Sequence, residues 1–438
     1  MYEYKNILIF GLGVTGESAL KCMSNFECNL YAYDENEDNL NKDFEIDFKI
    51  FNKKDIDKID LIIKSPGINP KNEILMLANE KNIKVVSDIE VAYGITKCKN
   101  LIAITGTNGK TTTTSLTYQI LNSDRKTYCV GNIGKGILDI ALEAEEDDYI
   151  VIEASSFQLE YTYDFKPIVS VITNVTSDHL DWHGNISNYK NAKYKIFKNQ
   201  NEDDYTIFNY RDQNLKSLSF DRDIYYFSLE DSGKLGTFVK EGGIYFRSKD
   251  STEFIMSVND IKIPGVHNVE NVLASTAIAK SLGIKNEVIK KSISNFMGVE
   301  HRIEFVRELN GVKYYNDSKG TNPDSTIMAI NAIEKNIILI AGGYDKKADF
   351  SEMLNIGLGK VKKLILLGET ADILQKISKP LGYEIYMVND LDKAVMLSNS
   401  IASSGDVVLL SPACASWDMY TSYEKRGEHF KKLVNELI

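Results

Sequence analysis

The sequence predicts an α/β protein of three consecutive domains: a Rossmann-like N-terminal domain, a central P-loop ATPase-like domain with a parallel sheet plus a small antiparallel part, and a Rossmann-like C-terminal domain. Three observations predict it. At 438 residues the chain is too long for one ordinary core. Apolar runs ending in small or polar turns alternate with helix-like segments near both ends. A phosphate-loop pattern opens the middle. The expected bounds are 1–94, 95–298 and 299–438.

In the first domain Ile7 to Phe10 reads as a strand that enters Gly11-Leu-Gly13-Val-Thr-Gly16 and a helix. Asn29 to Tyr33 is a second strand, ending at Asp34, eighteen residues beyond Gly16. Asp60 to Lys64 ends at Ser65-Pro66-Gly67, and Ile83 to Val86 is a further strand. Three glycines and a distant acid match the dinucleotide fingerprint and favour NAD. The same turn suits any diphosphate ligand, or none.

The central domain begins with Ile102-Ala-Ile-Thr-Gly106-Thr107-Asn108-Gly109-Lys110-Thr111-Thr112. An apolar strand, a glycine-bearing loop and then Lys110 and Thr111 suit backbone amides around a phosphate, a lysine on its outer oxygens and a hydroxyl on Mg²⁺. ATP is the expected ligand. The general pattern wants a glycine where this chain has Ile104, so the loop is a shortened variant. Tyr149 to Glu153 is a strand ending in a carboxylate, which could hold Mg²⁺ or simply face water. After the strand Ile168 to Ile172, Asn174 and then Asp178-His179 follow. His179 reads as a metal or phosphate contact or as a hydrogen-bonded loop histidine. Tyr189, Lys193 and Phe197 share a helix face, where a lysine is expected to reach for water, and spacing alone gives Lys193 no chemistry. Short alternating runs from Thr206 to Met256 predict small antiparallel hairpins, and Asn268 to Leu282 a helix.

The third domain has strand patterns at Gly311 to Tyr315, Ile337 to Ala341, Leu364 to Leu367, Glu384 to Val388 and Val407 to Leu410. Its last helix runs from about Tyr423 to Leu437, with Phe430, Leu433 and Leu437 on one side. Three polar loops follow strands: Asn316 to Pro323, Gly342 to Lys347 and Ser411 to Asp418. Together they suit a small anionic substrate held by Lys319 or Lys346 and hydroxyls.

Composition narrows the function. The 51 basic and 62 acidic side chains leave −11, without a long basic block, which argues against nucleic acid as a partner. No apolar run is long enough to span a bilayer and no signal peptide is evident, so a cytoplasmic protein is expected. Five cysteines without metal-ligand spacing read as free thiols. Nothing suggests a stable oligomer, and a monomer is expected.

Taken together, these motifs resemble the Mur ligases of bacterial peptidoglycan synthesis over essentially the whole chain. The carrying blocks are Gly106 to Thr112, Glu153-Ala-Ser-Ser-Phe-Gln-Leu-Glu160, Asn174-Val-Thr-Ser-Asp-His179, Gly265-Val-His-Asn268-Val-Glu-Asn271 and His301-Arg302-Ile-Glu-Phe. Asn316-Asp-Ser-Lys-Gly-Thr321, Gly342-Gly-Tyr-Asp-Lys346 and Ser411-Pro-Ala-Cys-Ala-Ser416 with Arg426-Gly427 resemble the family branch that adds D-glutamate.

The resemblance implies an ATP-dependent amide ligase that joins D-glutamate to UDP-N-acetylmuramoyl-L-alanine, with two Mg²⁺ ions. It replaces NAD by UDP in the first domain, held by Thr15, Asp34, Ser65 and Gly67, with Asn132 on the muramoyl-peptide part. It implies that Gly106, Thr107, Asn108, Gly109, Lys110, Thr111, Thr112, Asn268, Asn271, Arg302 and Asp317 serve the nucleotide, Asn271 near the adenine. Thr111, Glu153, His179 and Lys193 would serve the metals, Lys193 as a carbamate. Lys110, Glu153, His179, Lys193 and Arg302 would be catalytic, and Lys319, Thr321, Lys346, Ser416 and Tyr423 would hold D-glutamate. The rivals are a ligase of the same architecture with another amino acid, including a folylpolyglutamate type, and a non-catalytic nucleotide-binding protein.

Overall fold

The computed structural model describes residues 4–42, 44–132, 135–176, 178–333 and 335–438. Three sheets organise these residues. The first contains β1 (Asn6–Phe10), β2 (Asn29–Tyr33), β3 (Lys49–Ile50), β4 (Leu61–Lys64) and β5 (Lys84–Val86), all parallel, in the order β3-β2-β1-β4-β5. Its central strands β1 and β4 are apolar on both faces because both faces are covered, whereas the edge strand β3 is exposed. Ile7, Ile9, Leu61 and Ile63 enter one core, whereas their neighbours Leu8, Phe10 and Ile62 enter another.

The second sheet contains β6 (Asn100–Thr105), β7 (Thr127–Gly131), β8 (Tyr149–Glu153), β9 (Val169–Ile172), β10 (Tyr205–Asn209), β11 (Ile224–Ser228), β12 (Gly236–Lys240), β13 (Gly243–Arg247) and β14 (Thr252–Ser257). Their order is β14-β13-β12-β11-β10-β9-β6-β8-β7. The expected hairpins from Thr206 to Met256 are only partly present. β10 runs parallel to β9 and to β11, and β11 runs parallel to β12; only β12, β13 and β14 form an antiparallel meander. The reason is burial: Ile207 and Phe208, on opposite faces of β10, are both inaccessible, which suits a sheet interior rather than an exposed hairpin.

β6 leads through the glycine loop into the helix Lys110–Asn122. Four successive threonines, Thr111 to Thr114, are buried there despite their modest helix propensity. Their small side chains let the helix Val266–Ser281 approach, with Ser275 Oγ donating to the Thr113 carbonyl at 3.1 Å.

The third sheet contains β15 (Glu304–Leu309), β16 (Val312–Asn316), β17 (Ile337–Ala341), β18 (Val361–Leu366), β19 (Glu384–Met387) and β20 (Val407–Leu410), in the order β15-β16-β20-β17-β18-β19. Only the β15–β16 pair is antiparallel. Ile337 and Leu339 face one core and Ile338 and Ile340 the other. The last helix, Tyr423–Glu436, buries Phe430 and Val434, with Leu433 and Leu437 packed at the margin. By compactness the chain forms two units, Met1–Ile261 with His267–Asn295, and Lys262–Val266 with Phe296–Ile438. Among the described residues no helix is long and apolar enough to cross a membrane, and all five cysteines are free thiols.

Candidate active site

The loop between β6 and its helix needs glycine at two positions. Gly109, which precedes the helix, has φ +84°, and a Cβ there would lie 2.5 Å from Asn271 Oδ1. A Cβ on Gly106 would lie 1.8 Å from Thr173 Oγ1. The loop is fastened by the segment after β9: Asn174 Oδ1 accepts from Asn108 N at 2.8 Å, and Thr173 Oγ1 donates to the Asn108 carbonyl at 2.5 Å. Lys110 Nζ donates to the carbonyls of Gly106 and Thr107, both at 2.9 Å. Thr111 and Thr112 are buried on the first helical turn. Asn271, expected near the adenine, packs on the phosphate loop itself and donates to Asn268 Oδ1 at 3.0 Å.

Glu153 ends β8 beside this loop and is buried, so the solvated reading of it does not hold. Its Oε1 accepts from Asn132 Nδ2 at 2.9 Å, while its Oε2 is buried with no partner. An orphaned carboxylate oxygen at a phosphate loop fits Mg²⁺, which takes few protein ligands and completes its shell with phosphate and water. Among the described residues no cluster of three or more His, Cys, Asp or Glu forms. His179 is exposed in a left-handed conformation (φ +50°), its ring 3.4 Å from Asp178 Oδ2 and edge-on to Phe157. Ser177 beside it, and Ile133 and Gly134 beside Asn132, lie outside the described residues.

Lys193 corrects an expectation. Instead of reaching water it is buried, donating to the Gly106 carbonyl at 2.7 Å over the ring of Tyr189. The helix Ile186–Tyr194 ends before Phe197, which sits in a 3-10 turn, and Tyr189 ties the face to the loop through a 3.0 Å contact with Thr107 Oγ1. Burial, and then the Lys110 ammonium, push the Lys193 amine well below its usual range, with Asp178 opposing. This burial is what the sequence did not disclose.

In the first domain the Asp34 carboxylate turns inward. It accepts from Leu12 N at 2.5 Å and Asn36 N at 2.9 Å. Burial opposes its ionisation, but these amides outweigh it and hold the carboxyl below its ordinary value. The Leu12 amide of the glycine turn is thus engaged by the Asp34 carboxylate. Ser65 Oγ donates to the Gly11 carbonyl at 2.8 Å, Gly67 is exposed, and Thr15 lies in the first turn of the helix Val14–Met23.

In the third domain the three polar loops meet. Arg426, buried in the last helix, donates to the Ser318 carbonyl (2.9 Å), the Cys414 carbonyl (3.1 Å) and the Ala415 carbonyl (3.3 Å). Tyr344 N donates to the Ala415 carbonyl at 3.0 Å, which brings in the third loop. Ser416 follows, its hydroxyl buried and unpartnered. Lys319 Nζ lies over the Tyr423 ring at 5.7 Å and Lys346 Nζ over Trp417 at 5.0 Å, while Thr321 N donates to the Lys319 carbonyl. Arg426, which the sequence marks only as part of a family block, and Trp417, which it places in a polar loop, gain individual roles only from these contacts.

Asp317 is buried. Its carboxyl is pushed up to about 7 by burial, against the Ser411 hydroxyl, which donates at 2.6 Å, and the Arg302 charge. A carboxyl raised in the folded state takes up a proton on folding, so its contribution to stability falls as pH rises from about 4 to about 7. Asp317→Asn is expected to flatten that part of the stability profile, measured as denaturation midpoint against pH.

A glycine phosphate loop and a buried carboxylate at the ends of parallel strands, with a buried lysine from a neighbouring helix against the loop, define the site of a nucleotide-dependent enzyme. The comparisons give the family. Residues 5–87 match the MurD-like N-terminal domain of Mur ligases, 104–279 the Mur ligase middle domain, and 301–414 the Mur ligase glutamate ligase domain. The chain is 46% identical to the UDP-N-acetylmuramoylalanine–D-glutamate ligase of Thermoanaerobacter sp. (strain X514), covering 99% of this chain and 98% of that one. It is 41% identical to the ligase of the same name from Clostridioides difficile (strain 630), covering 99% of each. The fold matches a UDP-N-acetylmuramate–alanine ligase of Thermotoga maritima (TM-score 0.59, 20% identity, 98% of this chain and 99% of that one). It also matches a pseudomurein peptide ligase of Methanothermus fervidus (TM-score 0.60, 17% identity, 99% of each). The chain belongs to the Mur ligase family.

Proposed function

We propose that this protein is the ligase that adds D-glutamate to UDP-N-acetylmuramoyl-L-alanine at the expense of ATP, in peptidoglycan precursor synthesis. The observation that carries the reading is near-full-length identity of 46% to an enzyme of that name. The meeting of three polar loops around a buried, unpaired Ser416 hydroxyl supports the amino-acid site.

The L-alanine carboxylate attacks the γ-phosphorus of ATP, giving an acyl phosphate and ADP. The D-glutamate amine then attacks the carbonyl, a proton leaves the nitrogen, and phosphate departs as the amide forms. Lys110 neutralises charge on the transferring phosphoryl oxygens. Mg²⁺ would be held by Thr111 and Glu153, with His179 and a carbamate on Lys193 at a second ion, and supplies electrostatic stabilisation of phosphate charge. Carbamate formation joins the neutral Lys193 amine to CO₂ and releases one proton. Asn132, hydrogen-bonded to Glu153, would place the muramoyl peptide beside the metal carboxylate. Thr15, Asp34, Ser65 and Gly67 would hold the uridine diphosphate. Asn268 and Asn271 would buttress the loop Gly106 to Thr112. Arg302 and Asp317 would serve the nucleotide, and Lys319, Thr321, Lys346, Ser416 and Tyr423 the D-glutamate carboxylates.

Precursor labelled with ¹⁸O in its terminal carboxylate tests the chemistry: one label should appear in the released phosphate. Unlabelled phosphate would overturn the acyl-phosphate route. Ser416→Ala tests the amino-acid site. Removing an unsatisfied buried hydroxyl should leave the melting temperature unchanged or higher, while KM for D-glutamate rises about tenfold, the worth of one hydrogen bond to a charged group.

A further inference from the structure

Lys64 is the last residue of β4 and one of the largest fully buried side chains, and the chemistry above gives it no task. Its Nζ donates to the carbonyls of Ser65 (3.0 Å) and Pro66 (3.2 Å) and lies 4.7 Å from the ring centre of Tyr161 and 5.3 Å from that of Trp182. Trp182 belongs to the turn of helix Leu180–His183 that directly follows His179. Asp88 is the acid facing this cation; it is buried and accepts from Gln158 Nε2 at 3.0 and 3.1 Å. Gln158 Oε1 in turn accepts from Ser155 N at 3.1 Å and Ser155 Oγ at 2.9 Å, two residues beyond Glu153. One cation thus joins the turn 65–67, the His179 segment and the Glu153 loop.

An apolar side chain would fill this volume without the cost of desolvating an ammonium, and burial does lower Lys64 to about 7 against the pull of Asp88. The charge is therefore unlike a packing feature, and the backbone geometry gives it a use. In a trans peptide the carbonyl and the N–H point in opposite directions. Drawing the Pro66 carbonyl onto Nζ aims the Gly67 N–H away from Lys64. Gly67 is exposed, and a Cβ built there meets nothing within 4 Å, so a ligand has room to approach the turn at this residue. We propose that Lys64 is a positioning residue for the precursor site, fixing the turn Ser65-Pro66-Gly67 so that the Gly67 amide is presented to the diphosphate and tying that turn to the elements that carry Glu153 and His179. The inference rests on the reading of Ser65 and Gly67 as diphosphate contacts.

Lys64→Met, which keeps the unbranched stem and removes the donor, tests it by initial rates and by calorimetric titration with UDP-N-acetylmuramoyl-L-alanine. KM for this precursor should rise about tenfold, with a matching loss of affinity, while KM for ATP and for D-glutamate changes less than twofold. Lys64→Arg, which can donate to both carbonyls, should recover most of the loss. Trp182→Leu, which leaves the ammonium but removes one ring, should raise the same KM by a smaller factor, and it carries the test if Lys64→Met does not fold. Unchanged precursor affinity in folded Lys64→Met, or an equal rise in all three KM values, would overturn the role of Lys64. Failure of the unaltered protein to bind the precursor would instead overturn the diphosphate reading on which it stands.

Discussion

Replacing Lys193 by alanine is expected to lower kcat by on the order of 10²–10³-fold, the range for loss of one preorganised electrostatic group, with little change in precursor affinity. As an ammonium this residue is a poor neighbour for a cation: it is buried beside Lys110 and donates to the Gly106 carbonyl. The environment that penalises its charge favours the neutral amine, which is the form that adds to CO₂. A carbamate there would place an anion beside the phosphate loop, able to orient Mg²⁺. Lys193→Arg should fail as completely as alanine, since a guanidinium stays protonated and forms no comparable carbamate. Rates with CO₂-depleted and bicarbonate-supplemented buffer, alongside intact-protein mass, check the point. Wild-type turnover in Lys193→Arg would contradict it.

The second large effect is expected from Glu153→Gln. Glutamine keeps an acceptor for Asn132 Nδ2, which now donates to Glu153 Oε1 at 2.9 Å, so the end of β8 should stay in place. What is lost is the charge on Oε2, the oxygen left without a partner. kcat should fall on the order of 10²–10³-fold and the Mg²⁺ concentration for half-maximal rate should rise, with the melting temperature nearly unchanged. A Mg²⁺ dependence identical to that of the unaltered protein would remove Glu153 from the metal.

Much of this arrangement was legible in the sequence. Strands such as Ile7 to Phe10 and Ile337 to Ala341 announce themselves because a parallel strand buried on both faces is apolar at every position. The phosphate loop was equally plain, since Gly106 and Gly109 meet a physical demand that no side chain could satisfy. Strand direction was not. Thr206 to Met256 alternates in the same way whether its strands pair parallel or antiparallel, and burial decides only when the sheet is assembled. Lys193 was misread because helix periodicity places a residue on a face without saying what covers that face. The contacts of Arg426 and Lys64 were not legible for a related reason: each binds backbone carbonyls, and carbonyls leave no trace in side-chain pattern.

Ligation by this protein is expected to require D-glutamate. The most direct measurement is phosphate release from ATP and Mg²⁺ with UDP-N-acetylmuramoyl-L-alanine, offering D-glutamate, L-glutamate, L-alanine or meso-diaminopimelate in turn, with the product identified by mass. Release coupled to product with D-glutamate alone is the predicted result. Product with a different amino acid, or no product with any of them, would contradict it.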